Sequence, residues 1–463
     1  MALIKSISGI RGTIGGKEGT GLTPPDILRY TRAFVMLLRE KAPVGSKYSV
    51  VLARDARVSG IMCRDLVAGT LVSCGVDVID AQLASTPTAE MAVISENADG
   101  GIILTASHNP GEWNAMKLLN NRGEFISRAE GEWLLERATE DNFEYSPAFS
   151  LGNIITKNYD REHIEAVLNY PMTATESIYR SGFTAVVDGI NSVGGIIVPQ
   201  LLEYLGVTAV KINCNPSGIF AHNPEPLPEH LTELSAAVLE HKADIGISVD
   251  PDVDRLALIC EDGTPFGEEY TLVAAAEYML SKKKGNSVSN LSSSRALRDI
   301  TVSYGGNYFA SAVGEVNVVD MMKKVSAVIG GEGNGGVIVP DLHYGRDALI
   351  GIALILSSLS EKRCKATELR DSFPAYHISK KRVDLSNYGE IENIFNLVRE
   401  KYKDQIITEG DGLKIDFETE RSWVHIRRSN TEPIIRIYSE APDKEDAQRL
   451  GEEIQGLIKG RIK

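Results

Sequence analysis

Three aspartates alternate in the stretch Asp-Pro-Asp-Val-Asp-Arg, residues 250–255. Pro251 disfavours helical backbone at its predecessor, and in an extended or looped chain alternate side chains fall on one side. Asp250, Asp252 and Asp254 are thereby brought together, and carboxylates that close repel one another unless a cation sits among them. All-oxygen ligation selects Mg²⁺ or Ca²⁺; a solvated acidic turn is the alternative. An EF-hand is excluded. Asp250, Asp252, Asp254 and Glu261 would fill its loop positions 1, 3, 5 and 12, but Arg255 stands where its sharp turn requires glycine, and Leu-Ala-Leu-Ile-Cys follows as a strand.

Three further loops carry chemistry. Thr-Ala-Ser-His-Asn-Pro, residues 105–110, puts Ser107 beside His108 directly after the apolar run Gly-Gly-Ile-Ile-Leu. A serine becomes a nucleophile when a base or a metal activates it. Adjacent side chains in an extended chain point apart, so the pair is no triad, and read alone it is a turn. Gly331–Gly336 satisfies G-x-G-x-x-G, yet Val-Ile-Val-Pro follows as a strand stopped by Pro340 instead of the helix a dinucleotide site needs. Its glycines allow close backbone approach to a ligand, with Glu332 and Asn334 available to hydroxyls; a structural hairpin is the alternative. Arg427, Arg428, Ser429, Asn430, Thr431 and Arg436 lie within ten residues, the donors and fixed charge that a phosphate dianion requires, or else a hairpin with solvated arginines. Arg54, Asp55, Arg57 and Ser59 after one strand, and Arg11 near the start, read as surface ion pairs.

The elements that must position these loops follow from length and pattern. The chain has 463 residues, 43% hydrophobic and 24% charged, which is ordinary folded protein too long for a single core. A net charge of −14 leaves no basic excess to track a nucleic acid. The five cysteines, Cys63, Cys74, Cys214, Cys260 and Cys364, form no C-x-x-C pair, which suits a reducing compartment. With no long apolar run, a soluble, cytoplasmic protein without a membrane partner is expected. Short apolar strands alternate with amphipathic helices, the rhythm of βαβ units. Residues 98–110 and 243–255 echo one another, and 326–336 is a weaker third copy, so three related α/β units each end a strand in one of these loops. Ligand sites of open α/β sheets lie at such strand ends. From about 371 the pattern becomes that of an α+β domain with a mostly antiparallel sheet. The expected domains are 1–156, 157–257, 258–370 and 371–463.

Together, Thr105–Pro110, Asp250–Arg255, Gly331–Gly336 and the Arg-Arg-Ser-Asn-Thr-Glu-Pro loop resemble, in order and spacing, the phosphoserine, Mg²⁺, sugar and phosphate loops of the α-D-phosphohexomutase family. These enzymes move phosphate between the C1 and C6 oxygens of a hexose, and the resemblance covers essentially the whole chain. It implies four domains around a central cleft, three of α/β mixed-sheet type and a C-terminal α+β domain. It also implies that Ser107 is a phosphate carrier, working on a hexose phosphate through a sugar 1,6-bisphosphate that serves as intermediate and activator. Asp250, Asp252, Asp254 and the phosphorylated Ser107 would hold one Mg²⁺ per chain, with Arg255 beside them. Glu332 and Asn334 would bind sugar hydroxyls, and Arg427, Ser429, Asn430 and Thr431 the non-reacting phosphate. Arg11, His108 and Lys117 match positions close to the reacting groups, and the protein would be a monomer or homodimer.

Two departures from the family pattern stand out. Bacterial phosphomannomutase/phosphoglucomutase members typically read Gly-Glu-x-Ser-Gly-His at the sugar loop; here Gly336 replaces the histidine, leaving Lys117 and His108 for acid/base work. Those members also carry a lysine and a Gly-His pair where this chain has Ser292 and Gly314-Glu315, and Glu315 is expected to favour a sugar ammonium. The chain is similar to the branch with Gly-Gly-Glu-x-Asn-Gly-Gly, which implies interconversion of glucosamine 6-phosphate and glucosamine 1-phosphate. The alternatives are mannose or glucose phosphates, an inactive sugar-phosphate binder, or a phosphatase with an aspartyl nucleophile.

Overall fold

The structure, a computed structural model, describes residues 3–6, 9–41, 47–140, 143–384, 391–429 and 434–460. Four sheets follow one another along the chain. The first has seven strands in the spatial order Leu3–Ser6, Gly9–Thr13, Trp113–Leu119, Gly100–Leu104, Tyr48–Arg54, Val76–Leu83 and Ile154–Thr156. Its middle is parallel and its first three strands antiparallel. Gly100–Leu104 is buried at every position, as expected of a strand with helices on both faces.

The next two sheets repeat one plan. Thr208–Ile212, Thr184–Asp188 and Ile245–Val249 run parallel, and Leu256–Cys260 returns antiparallel to the last. Tyr308–Ser311, Asn286–Asn290 and Ala327–Glu332 run parallel, and Gly336–Ile338 returns likewise. The sequence echo thus has a structural meaning. Each copy is a parallel strand that turns through a chemical loop into an antiparallel neighbour, and Gly100–Leu104 with Trp113–Leu119 is the first of them. The boundary expected at 257 falls inside Leu256–Cys260, a strand that completes the second sheet.

The fourth sheet, His377–Asp384, Ile434–Ala441, Ser422–Arg428, Leu413–Phe417 and Ile406–Glu409, is antiparallel throughout. The helices Ile391–Lys401 and Lys444–Lys459 bury Ile394, Val398, Ile454 and Ile458 in the core that this sheet provides.

One apolar core runs through the second and third units, and the helix Ala348–Lys362 lies in it, buried at every position from Ala348 to Ser360. A helix apolar all round belongs in a core. Its N-cap is Asp347, whose carboxylate accepts from Leu349 N–H at 2.8 Å, and this fixes where the preceding residue, Arg346, points. Among the described residues no helix is long and apolar enough to cross a membrane. All five cysteines are unpaired.

Candidate active site

Ser107 sits at φ +48°, in the left-handed region that a non-glycine residue adopts at some cost. Its loop is held by Arg57, which is buried, so the reading of Arg57 as a surface ion pair is corrected. The guanidinium donates to the carbonyls of Ser107, Asn109 and Pro110 at 2.6 Å each, to that of Trp113 at 2.9 Å, and to Asp55 at 3.0 Å. A lysine cannot make this fork. Arg57→Lys is expected to destabilise the fold by about 1–3 kcal/mol, the cost of leaving buried polar groups unpaired, read as a lower midpoint in urea.

The left-handed turn also overturns the expectation that Ser107 and His108 point apart. Ser107 Oγ lies 3.3 Å from His108 Nδ1, but its short bond is donated to Asp250 Oδ2 at 2.6 Å. Burial, with Arg255 and Arg11 nearby, lowers the His108 imidazole well below its usual range. Arg11, on the strand Gly9–Thr13, donates to Asn109 Oδ1 at 3.3 Å.

Asp250, Asp252 and Asp254 are fully buried, and each offers an oxygen within 4.8 Å of the others. Burial, together with Asp254 and Asp252, pushes the Asp250 carboxyl well above the usual carboxylate range. Asp250 Oδ1 accepts the N–H groups of Asp254 and Arg255 at 3.1 Å, while Asp252 Oδ2 takes Thr86 Oγ1 at 2.6 Å and Lys117 Nζ at 2.6 Å. Burial by itself would lower the Lys117 ammonium, but Asp252 and Asp254 outweigh it and raise it above its usual value. Asp252 Oδ1 and Asp254 Oδ1 are buried with no hydrogen-bond partner. Two orphaned carboxylate oxygens beside a third acid fit a divalent cation. Arg255 Nε is likewise a buried donor without an acceptor, with Asp254 Oδ1 4.0 Å and Glu225 3.5 Å from the guanidinium.

Arg346 joins this acid cluster to the glycine-rich loop Gly331–Gly336. Its guanidinium meets Asp254 at 2.7 Å, Glu315 at 2.9 Å and Glu332 at 3.3 Å. Glu315 also accepts Arg346 N–H at 3.2 Å. Its carboxylate is therefore engaged by Arg346, which corrects the expectation that it stands open to a sugar ammonium. Glu332 Oε1 accepts from Asn290 Nδ2 at 2.8 Å and Gly314 N–H at 3.2 Å. Asn334 Oδ1 accepts Gly336 N–H at 3.3 Å.

Gly336 now has a physical reason: a Cβ there would lie 2.3 Å from Arg346 Cδ. Gly335 has φ +86°, and its Cβ would meet Leu256 O at 2.3 Å. Restoring the histidine with Gly336→His is expected to push Arg346 off its carboxylates and lower kcat/KM by about 10²-fold, the scale of a 1 Å misplacement in a reacting site, as steady-state kinetics would show.

Arg427 and Ser429 lie at the end of the fourth sheet's strand Ser422–Arg428 and just beyond it. Arg427 pairs in register with Arg436, its Nε is buried without an acceptor, and Ser429 N–H donates to Ile434 O at 3.0 Å. Asn430 and Thr431 lie outside the described residues. Ser107, the three aspartates, Lys117, Arg346 and Glu332 thus form one connected network, with His108, Arg11 and Arg255 around it.

Three α/β units that meet over a buried serine and acid cluster, plus an arginine-bearing fourth domain, define an enzyme that handles phosphorylated ligands. The comparisons agree. The descriptions "Phosphoglucomutase/phosphomannomutase, alpha/beta/alpha domain" I, II and III match residues 3–145, 161–263 and 267–376, and the C-terminal domain of the same family matches 388–457. A phosphoglucomutase/phosphomannomutase of Thermococcus kodakarensis is 35% identical over 445 residues, 95% of each chain. A probable phosphoglucosamine mutase of Pyrococcus horikoshii is 34% identical over 98% of each chain. A phosphoglucosamine/phosphogalactosamine mutase of Sulfurisphaera tokodaii is 30% identical over 100% of each. The crystal structure of a Burkholderia thailandensis family protein superposes with a TM-score of 0.84 at 25% identity, covering 98% of this chain and 96% of that one. The chain belongs to the phosphoglucomutase/phosphomannomutase family, the α-D-phosphohexomutases.

Proposed function

We propose that this phosphohexomutase interconverts glucosamine 6-phosphate and glucosamine 1-phosphate, with Ser107 as the phosphate carrier and a sugar 1,6-bisphosphate as intermediate. The observation that carries the mechanism is the 2.6 Å bond from Ser107 Oγ to Asp250, inside a buried acid cluster with orphaned oxygens. Phosphoryl transfer asks mainly for positioning and for stabilised charge on the transferring oxygens. The turn at Ser107, stapled by Arg57, presents Oγ to the cluster, and Arg255 Nε and Arg11 supply donors beside it.

Asp250, Asp252 and Asp254 would hold Mg²⁺ together with an oxygen of the phosphorylated serine, and the ion would there neutralise charge on the phosphoryl oxygens. The attacking sugar hydroxyl gives up its proton. His108 is held neutral in this setting, whereas Lys117 is charged, so the imidazole is the better acceptor and the ammonium the better donor. Glu332 and Asn334 take sugar hydroxyls, and Arg427 and Ser429, with Asn430 and Thr431, take the phosphate that is not reacting.

The amino-sugar reading is supported by charge. Glu332, the carboxylate of the glycine-rich loop, shares its guanidinium partner Arg346 with Asp254 and Glu315, so its charge is only partly offset and suits an ammonium-bearing sugar. Names of relatives such as those of P. horikoshii and S. tokodaii point the same way. The name of the T. kodakarensis relative favours glucose and mannose phosphates as the second reading. Comparison of kcat/KM on the 6-phosphates of glucosamine, glucose and mannose decides between them. Glucosamine is expected to lead by about 10-fold or more, the worth of one charge-assisted contact, and a lead for glucose or mannose refutes the amino-sugar assignment.

A further inference from the structure

The sugar loop and the phosphate domain are joined by a closed ring of hydrogen bonds. Glu332 Oε1 is held by Asn290 Nδ2 at 2.8 Å, and Asn290 Oδ1 accepts Ser292 N–H at 2.9 Å. Ser292 Oγ then reaches across to the fourth sheet, where His425 Nδ1 lies at 2.8 Å. His425 Nε2 is 2.6 Å from the carbonyl oxygen of Asp411, which can only accept, so Nε2 carries the proton and Nδ1 accepts from the Ser292 hydroxyl. Burial lowers the imidazole to about 4, in keeping with this neutral tautomer. Asp411 Oδ2 accepts Val313 N–H at 2.9 Å, and the next amide, Gly314 N–H, returns to Glu332 Oε1 at 3.2 Å. His425 stands two residues before Arg427 on the same strand.

We propose that Ser292, His425 and Asp411 are positioning residues that couple the sugar contact of Glu332 to the phosphate grip of Arg427. The idea rests on the reading of Glu332 and Arg427 as sugar and phosphate ligands. Both hydrogen bonds to Glu332 Oε1 lead on to the fourth domain, so a shift of Glu332 toward a hydroxyl strains the bonds at Ser292 and at Val313 together. The Arg427 strand is what those bonds hold. The coupling lets a correctly seated sugar set the position of the strand that carries Arg427.

The test uses the full-length enzyme and hexose phosphate kinetics. Ser292→Ala removes one hydrogen bond and is expected to raise KM about 5-fold, the worth of roughly 1 kcal/mol, with kcat little changed. Ser292→Thr, which keeps the hydroxyl, is expected to restore KM. Combined with Glu332→Gln, Ser292→Ala is expected to add little, because one coupled unit has already been broken. An unchanged KM in Ser292→Ala, or effects of the two substitutions that multiply, overturns the coupling while leaving the ligand readings intact. Glu332→Gln kinetics identical to wild type would instead remove the sugar contact, and the coupling with it. Unchanged urea midpoints in the Ser292 variants show that the KM effects are not loss of fold.

Discussion

Ser107→Ala is expected to abolish turnover, with a loss of roughly 10⁴-fold or more in kcat, the scale on which removal of a covalent carrier acts. The alanine keeps the turn's backbone contacts to Arg57, so the loop stays in place. What disappears is the hydroxyl that donates to Asp250. The three aspartates, as the metal-suited acids, are not available to take its place. A hexose phosphate still binds, since Glu332 and the Arg427 loop are untouched. The expected signature is an unchanged affinity for substrate with kcat at background, checked by equilibrium binding beside steady-state assay.

Arg346→Met is expected to be the second most damaging change. The guanidinium is the common partner of Asp254, Glu315 and Glu332, and all three carboxylates are buried. Removing one partner of a buried charge network costs about 3–5 kcal/mol, because uncompensated charge is left behind. Stability read by urea unfolding should fall on that scale. Activity should fall further, since Glu332 loses the contact that holds Oε2. Arg346→Lys returns the charge without the planar fork, so it is expected to recover much of the stability and little of the activity. Equal recovery of both would mean that charge alone matters there.

These two residues differ in how far the sequence disclosed them. Ser107 was legible because its loop is local: a polar turn after a fully apolar strand, matched by a companion loop of alternating aspartates. Arg346 was not, because its partners come from residues 254, 315 and 332 and meet only when the second and third units share a core. Its one local clue was a place just before Asp347, the cap of a long apolar helix. The role of Arg57 is hidden for a similar reason, since an arginine after a strand is usually solvated and nothing nearby announces four carbonyls from residues 107–113. Ser107 and His108 would diverge on an extended backbone, and residue type gives no warning of φ +48° at a serine. The four-unit α/β and antiparallel pattern was readable from periodicity. The antiparallel return of Leu256–Cys260 was not, because an apolar strand buried on both faces looks the same whichever sheet it joins.

The central claim is that Ser107 carries the phosphoryl group between the two ends of the sugar. It is tested most directly by charging the enzyme with a sugar 1,6-bisphosphate, mapping the phosphorylated peptide by mass, then mixing with glucosamine 6-phosphate for a single turnover. The account predicts one phosphoryl group, on Ser107, which leaves as the substrate becomes bisphosphate. A phosphoryl group on Asp250, Asp252 or Asp254, or a phosphorylated Ser107 that persists while product forms, would contradict it.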